Sequence, residues 1–446
     1  MPSVPATPVV MAVFRICGMN KELIMKKVVF SILCIFICAA ASAQVKFQRN
    51  ASGWELLIDG QPTYIKGVGG TNKMDVAKAA GANACRTWSG NVAGVQRTLE
   101  QARANGMYIM QGIGLTKDPK MYQNEEYKNR LRKEVRELAE AFKDDKNIIM
   151  WGIGNEIELN DDTPGVAWEF VNELSEIIKS IDKRHATSTV ITYNQKSLNQ
   201  VAKYCPSLDF VGINCYGGIQ SLRNMVEKSD WKGPYLVTEW GPTGWWECKK
   251  TAWGAPIEQS SEEKRLCYEE RYNIIQSDPA CVGSFVFLWG QKEERTPTWF
   301  CMFTESNVEG LPLKGEKAAT VEGMERVWTG KEPSQTAPLI SSMTAGGKSV
   351  LQDPTFTAGK KIKVKAAVKD RENKKLTYVW EVLKEATITA TGGAYEPRPD
   401  RVGEVVTTTK PTLNLKIDEP GAYRVYLYAL DGTGYASATN LPILVK

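Results

Sequence analysis

Between Val45 and about Gly330 the sequence alternates short apolar runs with stretches of helical periodicity. A parallel strand buried on both faces reads as an apolar run. The crossover that returns the chain reads as an amphipathic helix, so this alternation predicts βα units around a parallel sheet. The strand candidates are Tyr64 to Val68, Ala82 to Arg86, Tyr108 to Gln111, Ile148 to Gly152, Ser188 to Thr192, Phe210 to Asn214, Tyr235 to Thr238 and Ser284 to Leu288. Among the helices, Tyr127, Leu131, Val135, Leu138 and Phe142 recur at spacings of four and three, and Val171, Leu174, Ile178 and Ile181 do the same. Val321, Met324 and Val327 mark a last helix before Gly330. Eight such strands predict an α/β fold of the (β/α)8 TIM barrel type over residues 45–330, preceded by a hairpin from Trp54 to Ile58 and Thr63 to Lys66 that turns at Asp59-Gly60. A doubly wound open sheet is the alternative. Its nucleotide-binding forms lose support because no GxGxxG or GxxxxGKS motif follows a strand.

Residues 331–337 (KEPSQTA) read as a linker, and the pattern changes beyond them. Residues 338–446 hold alternating strands at Lys361 to Val368, Leu376 to Val382, Thr412 to Ile417 and Tyr423 to Leu430, with one poor helix candidate around Leu383 to Ala386. Turns at Glu419-Pro420-Gly421 and Asp431-Gly432 separate them, which predicts an all-β immunoglobulin-like sandwich with Trp380 as its core aromatic. At the other end, residues 1–43 read as an upstream extension followed by a signal peptide. Met25-Lys26-Lys27 supplies its positive region, Val28 to Cys38 its apolar core, and Ala41-Ser42-Ala43 a cleavage site before Gln44. The expectation is a protein exported to the periplasm, cell surface or medium. Neither Cys34 nor Cys38 sits in a convincing lipobox, and no later segment is apolar enough to span a membrane.

The formal charge of +5 falls to +2 once Arg15, Lys21, Lys26 and Lys27, against Glu22, are set aside. So small a charge makes no electrostatic case for nucleic acid and suits a neutral substrate. Seven cysteines remain after residue 43, an odd number with no CxxC, so neither a disulfide framework nor a zinc site is visible. The single histidine, His185, excludes a multi-histidine metal site and would have to serve any Ser-His-Asp triad. Its setting, Asp182-Lys183-Arg184-His185 before a strand, reads as a structural surface turn. Acid–base chemistry then falls to carboxylates. No metal and no cofactor are expected.

Active sites of (β/α)8 barrels lie at the C-terminal ends of the strands. The second strand ends in Arg86-Thr87-Trp88, the fourth in Gly154-Asn155-Glu156, the fifth near Tyr193-Asn194, the sixth in Asn214-Cys215-Tyr216, the seventh in Thr238-Glu239-Trp240 and the eighth in Trp289. The dipeptide Asn-Glu occurs three times, but Asn124-Glu125 and Asn172-Glu173 fall on or beside amphipathic helices, where they read as solvated faces. Asn155-Glu156 and Glu239 instead follow apolar strands directly, and a carboxylate buried there without a partner is costly. Two such glutamates, three strands apart, can face each other across the mouth as glycoside hydrolysis requires. Two structural glutamates salt-bridged to Arg86 or a lysine are the rival reading. Trp88, Trp151, Trp240, Trp245, Trp246, Trp253, Trp289, Trp299 and Tyr216 add aromatic faces suited to the C–H faces of sugars, although Trp151, within its strand, reads best as core.

These residues resemble clan A retaining glycoside hydrolases, which carry Asn-Glu after strand 4, Glu after strand 7, Arg after strand 2 and Tyr after strand 6. Here those positions read Asn155-Glu156, Glu239, Arg86 and Tyr216. Ile58-Asp59-Gly60-Gln61-Pro62-Thr63-Tyr64-Ile65-Lys66-Gly67 also resembles the start of the family 2 barrel. A barrel joined to a C-terminal immunoglobulin-like domain looks most like glycoside hydrolase family 158, bacterial endo-β-1,3-glucanases acting on laminarin-type glucans. The resemblance implies Glu156 as acid/base, Glu239 as nucleophile, Asn155 on the 2-hydroxyl of the reacting sugar, Tyr216 orienting Glu239 and Arg86 keeping Glu239 ionised. Asn214 departs from the histidine that many clan members carry there, which bears on the support around Glu239.

The expectation is therefore a monomeric, exported, retaining endo-β-1,3-glucanase acting on a polysaccharide or oligosaccharide. Its substrate-binding residues would be Arg86, Trp88, Asn155, Tyr193, Asn214, Tyr216, Trp240, Trp245, Trp246 and Trp289. Within the class the alternatives are a mannanase, an exo-acting β-glycosidase or a β-1,3-glucan transglycosylase. Outside it stands a non-catalytic glycan-binding protein. The sandwich reads as a spacer or barrel-packing domain, since it shows no cluster of loop aromatics.

Overall fold

A computed structural model of the protein describes residues 45–159, 165–388 and 393–446. The expected leader, residues 1–43, lies outside them. Eight parallel strands close into a barrel: β4 Ile65–Gly69, β5 Ala84–Arg86, β6 Tyr108–Ile113, β7 Ile148–Asn155, β8 Ala186–Thr192, β9 Phe210–Asn214, β10 Tyr235–Trp240 and β11 Cys281–Val286. The last pairs with the first from Gly283↔Ile65 to Val286↔Val68, which closes the ring and removes the open-sheet alternative. Helices surround it: α1 Met74–Ala79, α2 Val92–Asn105, α3 Glu125–Phe142, α4 Gly165–Ile181, α5 Gln195–Tyr204, α6 Ile219–Lys228, α7 Ser261–Gln276 and α8 Ala319–Thr329. Along α3 the periodic residues Tyr127, Leu131, Val135, Leu138 and Phe142 are all buried, and Asn124 caps its start by accepting from Tyr127 N.

One end of the barrel is plugged. Strands β1 Val45–Asn50, β2 Gly53–Ile58 and β3 Gln61–Thr63 form a small antiparallel sheet whose Leu56 and Ile58 join Ile65, Met110, Met150 and Phe285 in one apolar cluster. The expected hairpin is present, but its second arm stops at Thr63, because Ile65 already belongs to the barrel. His185 lies at this end and is buried, not exposed in a turn. Its Nδ1 meets Asp182 Oδ2 at 2.6 Å and its Nε2 meets Asp145 O at 2.7 Å. Trp151 donates to the same Asp182 carboxylate at 2.8 Å, so histidine and tryptophan share one buried acceptor that the sequence pattern could not reveal.

The C-terminal strands form two sheets. One holds β12 Leu339–Ala345, β14 Lys361–Lys369 and β17 Thr412–Lys416. The other holds β13 Thr355–Phe356, β15 Thr377–Lys384, β16 Val406–Thr408, β18 Gly421–Leu430 and β19 Ala436–Val445. Trp380 is fully buried between them. The helix expected around Leu383 to Ala386 is absent; β15 runs through Lys384 paired with β18. Its burial on both faces explains the misreading. Tyr378, Trp380 and Val382 face the sandwich core, while Val379 and Leu383 pack with Tyr426 and Tyr428 against Leu311 and Leu313 of the barrel. A strand covered on both sides loses the alternation that identifies strands.

Polar contacts fix the same junction. Glu258 accepts from Lys264 Nζ at 2.5 Å, Thr296 Oγ1 at 2.6 Å and Asn440 Nδ2 at 2.6 Å. Arg424 reaches Pro256 O at 2.8 Å. Fully buried Glu322 accepts from Ala337 N at 2.9 Å and Arg371 Nη1 at 2.6 Å, so the chain between α8 and β12 is tied down where the sequence suggests a free linker. The seven cysteines after residue 43 are free thiols. No helix among the described residues is long and apolar enough to cross a membrane.

Candidate active site

At the open end, the loops after the strands enclose a cleft of about 940 Å³ lined by residues that include Glu156 and Glu239. Both stand on irregular strand ends. The pairing of β7 with β8 shifts register between Gly152 and Asn155, and Gly154 takes φ 78°. Glu156 itself has φ 51°, a left-handed conformation that costs a non-glycine residue on the order of 1–3 kcal/mol and that clusters at functional sites. Its amide donates to Val190 O at 2.8 Å, which holds the turn. The pairing of β10 shifts register with β9 between Val237 and Glu239 and with β11 between Val237 and Trp240. Bulges of this kind re-aim a side chain at the rim of a barrel.

The two carboxylates meet different surroundings. Three donors converge on Glu239: Arg86 Nη1 at 2.9 Å and Trp88 Nε1 at 2.7 Å on Oε1, and the Tyr216 hydroxyl at 3.1 Å on Oε2. Burial, with the Glu239 charge beside it, pushes the Tyr216 phenol well above its ordinary range, so it remains a donor. Glu156 has one close donor, Asn214 Nδ2 at 2.8 Å, and a longer approach from Lys117 Nζ at 3.4 Å. Burial first, then the Glu239 charge, raise its carboxyl to about 7, against the opposing pull of Lys117 and Asn214.

A hydrogen-bonded chain joins the two. Asn155 Oδ1 accepts from Arg86 Nη2 at 2.6 Å and Asn214 Nδ2 at 3.2 Å, while Thr238 Oγ1 donates to Asn214 Oδ1 at 2.8 Å. Arg86 is 2% exposed and also donates to Thr238 O at 2.8 Å. It is a buried support beneath Glu239 and offers no surface to a sugar, which corrects its expected substrate-binding role. The Asn214 amide donates to Glu156 and not to Glu239.

Of the aromatics, Trp88, Tyr193, Tyr216, Trp245 and Trp246 line the cleft. Trp246 is 48% and Tyr193 38% exposed, which leaves ring surface for a ligand. Gly218 makes room for Tyr193, since a Cβ there would stand 2.7 Å from its ring. Trp240 and Trp289 are corrections: both are fully buried. Trp240 follows inward-pointing Glu239, so strand alternation turns it out against Tyr268 and Tyr272 at 5.4 and 6.2 Å. Trp289 packs on Phe303 and Trp328 and donates to Lys73 O at 3.3 Å. Trp299 and Trp151 are likewise core.

Several lining residues escape the sequence reading: Lys117, Glu158, Glu247, Lys292, Glu294 and Gly393. Lys117 follows β6 closely, so the strand-end rule could have found it. Lys292 and Glu294 lie deeper in the loop after β11 and pair with each other at 2.6 Å. Gly393 comes from the sandwich and carries no sequence signal.

Comparison with known proteins bears on the fold and the family. The family model for cellulase (glycosyl hydrolase family 5) matches residues 49–253, a stretch that holds both glutamates and the barrel through β10. No curated protein sequence matches the chain. Among solved structures, β-glucuronidase of Bacteroides uniformis is similar at 13% identity and TM-score 0.50, over 90% of this chain and 48% of that one. The Bacteroides uniformis β-glucuronidase 2 covalently bound to cyclophellitol-6-carboxylate aziridine matches to the same extent. A β-glucuronidase from Ruminococcus gnavus in complex with C6-substituted uronic isofagomine aligns at 15% identity and TM-score 0.50, over 64% of this chain and 52% of that one. The chain thus spans about half the length of these neighbours. At such identities the likeness concerns the fold alone, the closed eight-stranded barrel with its surrounding helices.

Proposed function

We propose that the protein is a retaining glycoside hydrolase, with Glu156 as acid/base, Glu239 as nucleophile and a β-glucan as substrate. The observation that carries this reading is the asymmetry of the two carboxylates. Three donors converge on Glu239 and fix both of its oxygens in place. Glu156, raised to about 7, keeps its proton near neutral pH, as a general acid must. In the first half of the reaction Glu239 would attack the anomeric carbon while Glu156 protonates the departing oxygen. In the second half Glu156 would take a proton from water as that water displaces Glu239. Asn155 uses its oxygen on Arg86 and Asn214, so its amide hydrogens are the end available to a sugar hydroxyl.

A neutral glycan fits the cleft best. An anionic sugar such as a glucuronide would meet Glu156, Glu158, Glu239, Glu247 and Glu294, offset by Lys117 and Lys292, which themselves face Glu156 and Glu294. Endo action on a β-1,3-linked glucan of the laminarin type is the specificity we propose, with export to the periplasm, surface or medium. The half-exposed Tyr193 and Trp246 would stack on sugars beyond the reacting one. A digest of laminarin beside mannan, cellulose and aryl β-glycosides, with products sized over time, tests this. Early release of mixed-length oligosaccharides from laminarin is expected. Glucose alone from the outset, or a preference for mannan or cellulose, would refute the specificity.

A further inference from the structure

Between β15 and β16 the sandwich sends a segment to the open end of the barrel. Gly393 lines the cleft, and a Cβ on it would stand 3.6 Å from Lys292 Nζ. Three residues on, Glu396 is 3% exposed and its Oε2 accepts from Arg295 N, in the loop after β11, at 2.7 Å. Arg398 holds Glu305 of that same loop by two bonds of 2.8 and 3.0 Å, and Glu381 of β15 at 2.5 Å. A buried carboxylate and a forked guanidinium therefore fasten the segment to the barrel.

Between the cleft wall and these anchors sits Tyr395, 85% exposed. A single exposed aromatic is ordinary on a protein surface. This one lies two residues from Gly393, within about 7 Å along the chain, on a segment held in place by its neighbours. Its ring is open to solvent, and an exposed aromatic face next to this cleft is suited to the C–H face of a sugar.

We infer that residues 393–398 of the sandwich form an outer glycan subsite on the glycone side of the cleft, with Tyr395 as its aromatic platform. The inference rests on the proposed hydrolase reading. The side follows from the barrel order: the loop after β11 borders the β10 end that carries Glu239, whereas the leaving group departs towards Glu156 at the end of β7, beside Tyr193 after β8. The sandwich is then part of the substrate site, beyond a spacer.

The test compares the intact chain with its Tyr395→Ala variant on 4-nitrophenyl β-laminarioligosides carrying one to five glucose units. Truncating so exposed a side chain removes almost no packing, so folding is not at stake. In the unmodified protein kcat/KM should climb with glycone length. In Tyr395→Ala the last increments should vanish, lowering the longest substrate about 10-fold and the one-unit glycoside not at all, with Tyr395→Trp retaining the increments. Equal kcat/KM for Tyr395→Ala and the unmodified protein at every length, or an equal loss at every length, would overturn the subsite. Absence of turnover by the unmodified protein at every length would overturn the hydrolase reading and this inference with it.

Discussion

Arg86 Nη1 lies 2.9 Å from Glu239 Oε1 with both side chains withdrawn from solvent, at 2% and 9% exposure. The pair ties the end of β5 to the end of β10 across the mouth of the barrel. The same guanidinium reaches Asn155 at the end of β7, so one buried cation sets the relative position of both proposed reacting groups.

Replacing Arg86 with alanine should leave a buried carboxylate short of its main counter-charge. Breaking such pairs costs on the order of 3–5 kcal/mol, divided here between folding and catalysis because Trp88 and Tyr216 still donate. The expected outcome is a fall in kcat of roughly 100-fold or more together with a lower Tm. Arg86→Lys should recover little, because a lysine cannot span Glu239 and Asn155 with one planar fork. Steady-state kinetics and thermal melts read both effects.

As the proposed acid, the Glu156 carboxyl, raised to about 7, should set the alkaline limb of the pH profile. Activity should decline as pH rises through 7, where the acid loses its proton. Lys117 stabilises the carboxylate, so Lys117→Met should raise the Glu156 value further and move the limb to higher pH. A limb that stays in place or moves to lower pH would show that Lys117 does not act on Glu156. Initial rates from pH 5 to 9 provide the measurement.

Glu258 is the buried hub between barrel and sandwich, and Lys264 is its 7%-exposed partner. Glu258→Ala should strand that ammonium and release Asn440 and Thr296 as well. A loss of about 3–5 kcal/mol should lower Tm by roughly 5 °C in a chain of this length. Differential scanning calorimetry would register it. A melting curve like that of the unmodified protein would mean the junction contributes little.

The strand ends were legible because the eight apolar runs count out the barrel, and barrel geometry then selects Glu156 and Glu239 from the many carboxylates. Trp88, Tyr216, Trp245 and Trp246 followed from the same rule. Trp240 and Trp289 did not, because the rule names a region and not a face. Strand alternation after Glu239 turns Trp240 outward, a signal the sequence does carry. The His185–Asp182–Trp151 cluster, the double burial of β15 and the arrival of Gly393 in the cleft depend on contacts between distant segments, which leave no local pattern. Lys117 lies between these cases, visible by its position after β6 while its approach to Glu156 joins segments distant in sequence.

The central claim, that Glu239 is the nucleophile of a two-step displacement, is tested most directly by trapping its covalent intermediate. Incubation with a 2-deoxy-2-fluoro-β-laminaribioside bearing a dinitrophenyl leaving group, followed by peptide mass mapping, should show one added glycosyl group on the peptide containing Glu239 and none in Glu239→Gln. A label on Glu156, Glu158 or Glu294 instead, or turnover of laminarin that releases products of inverted anomeric configuration, would contradict it.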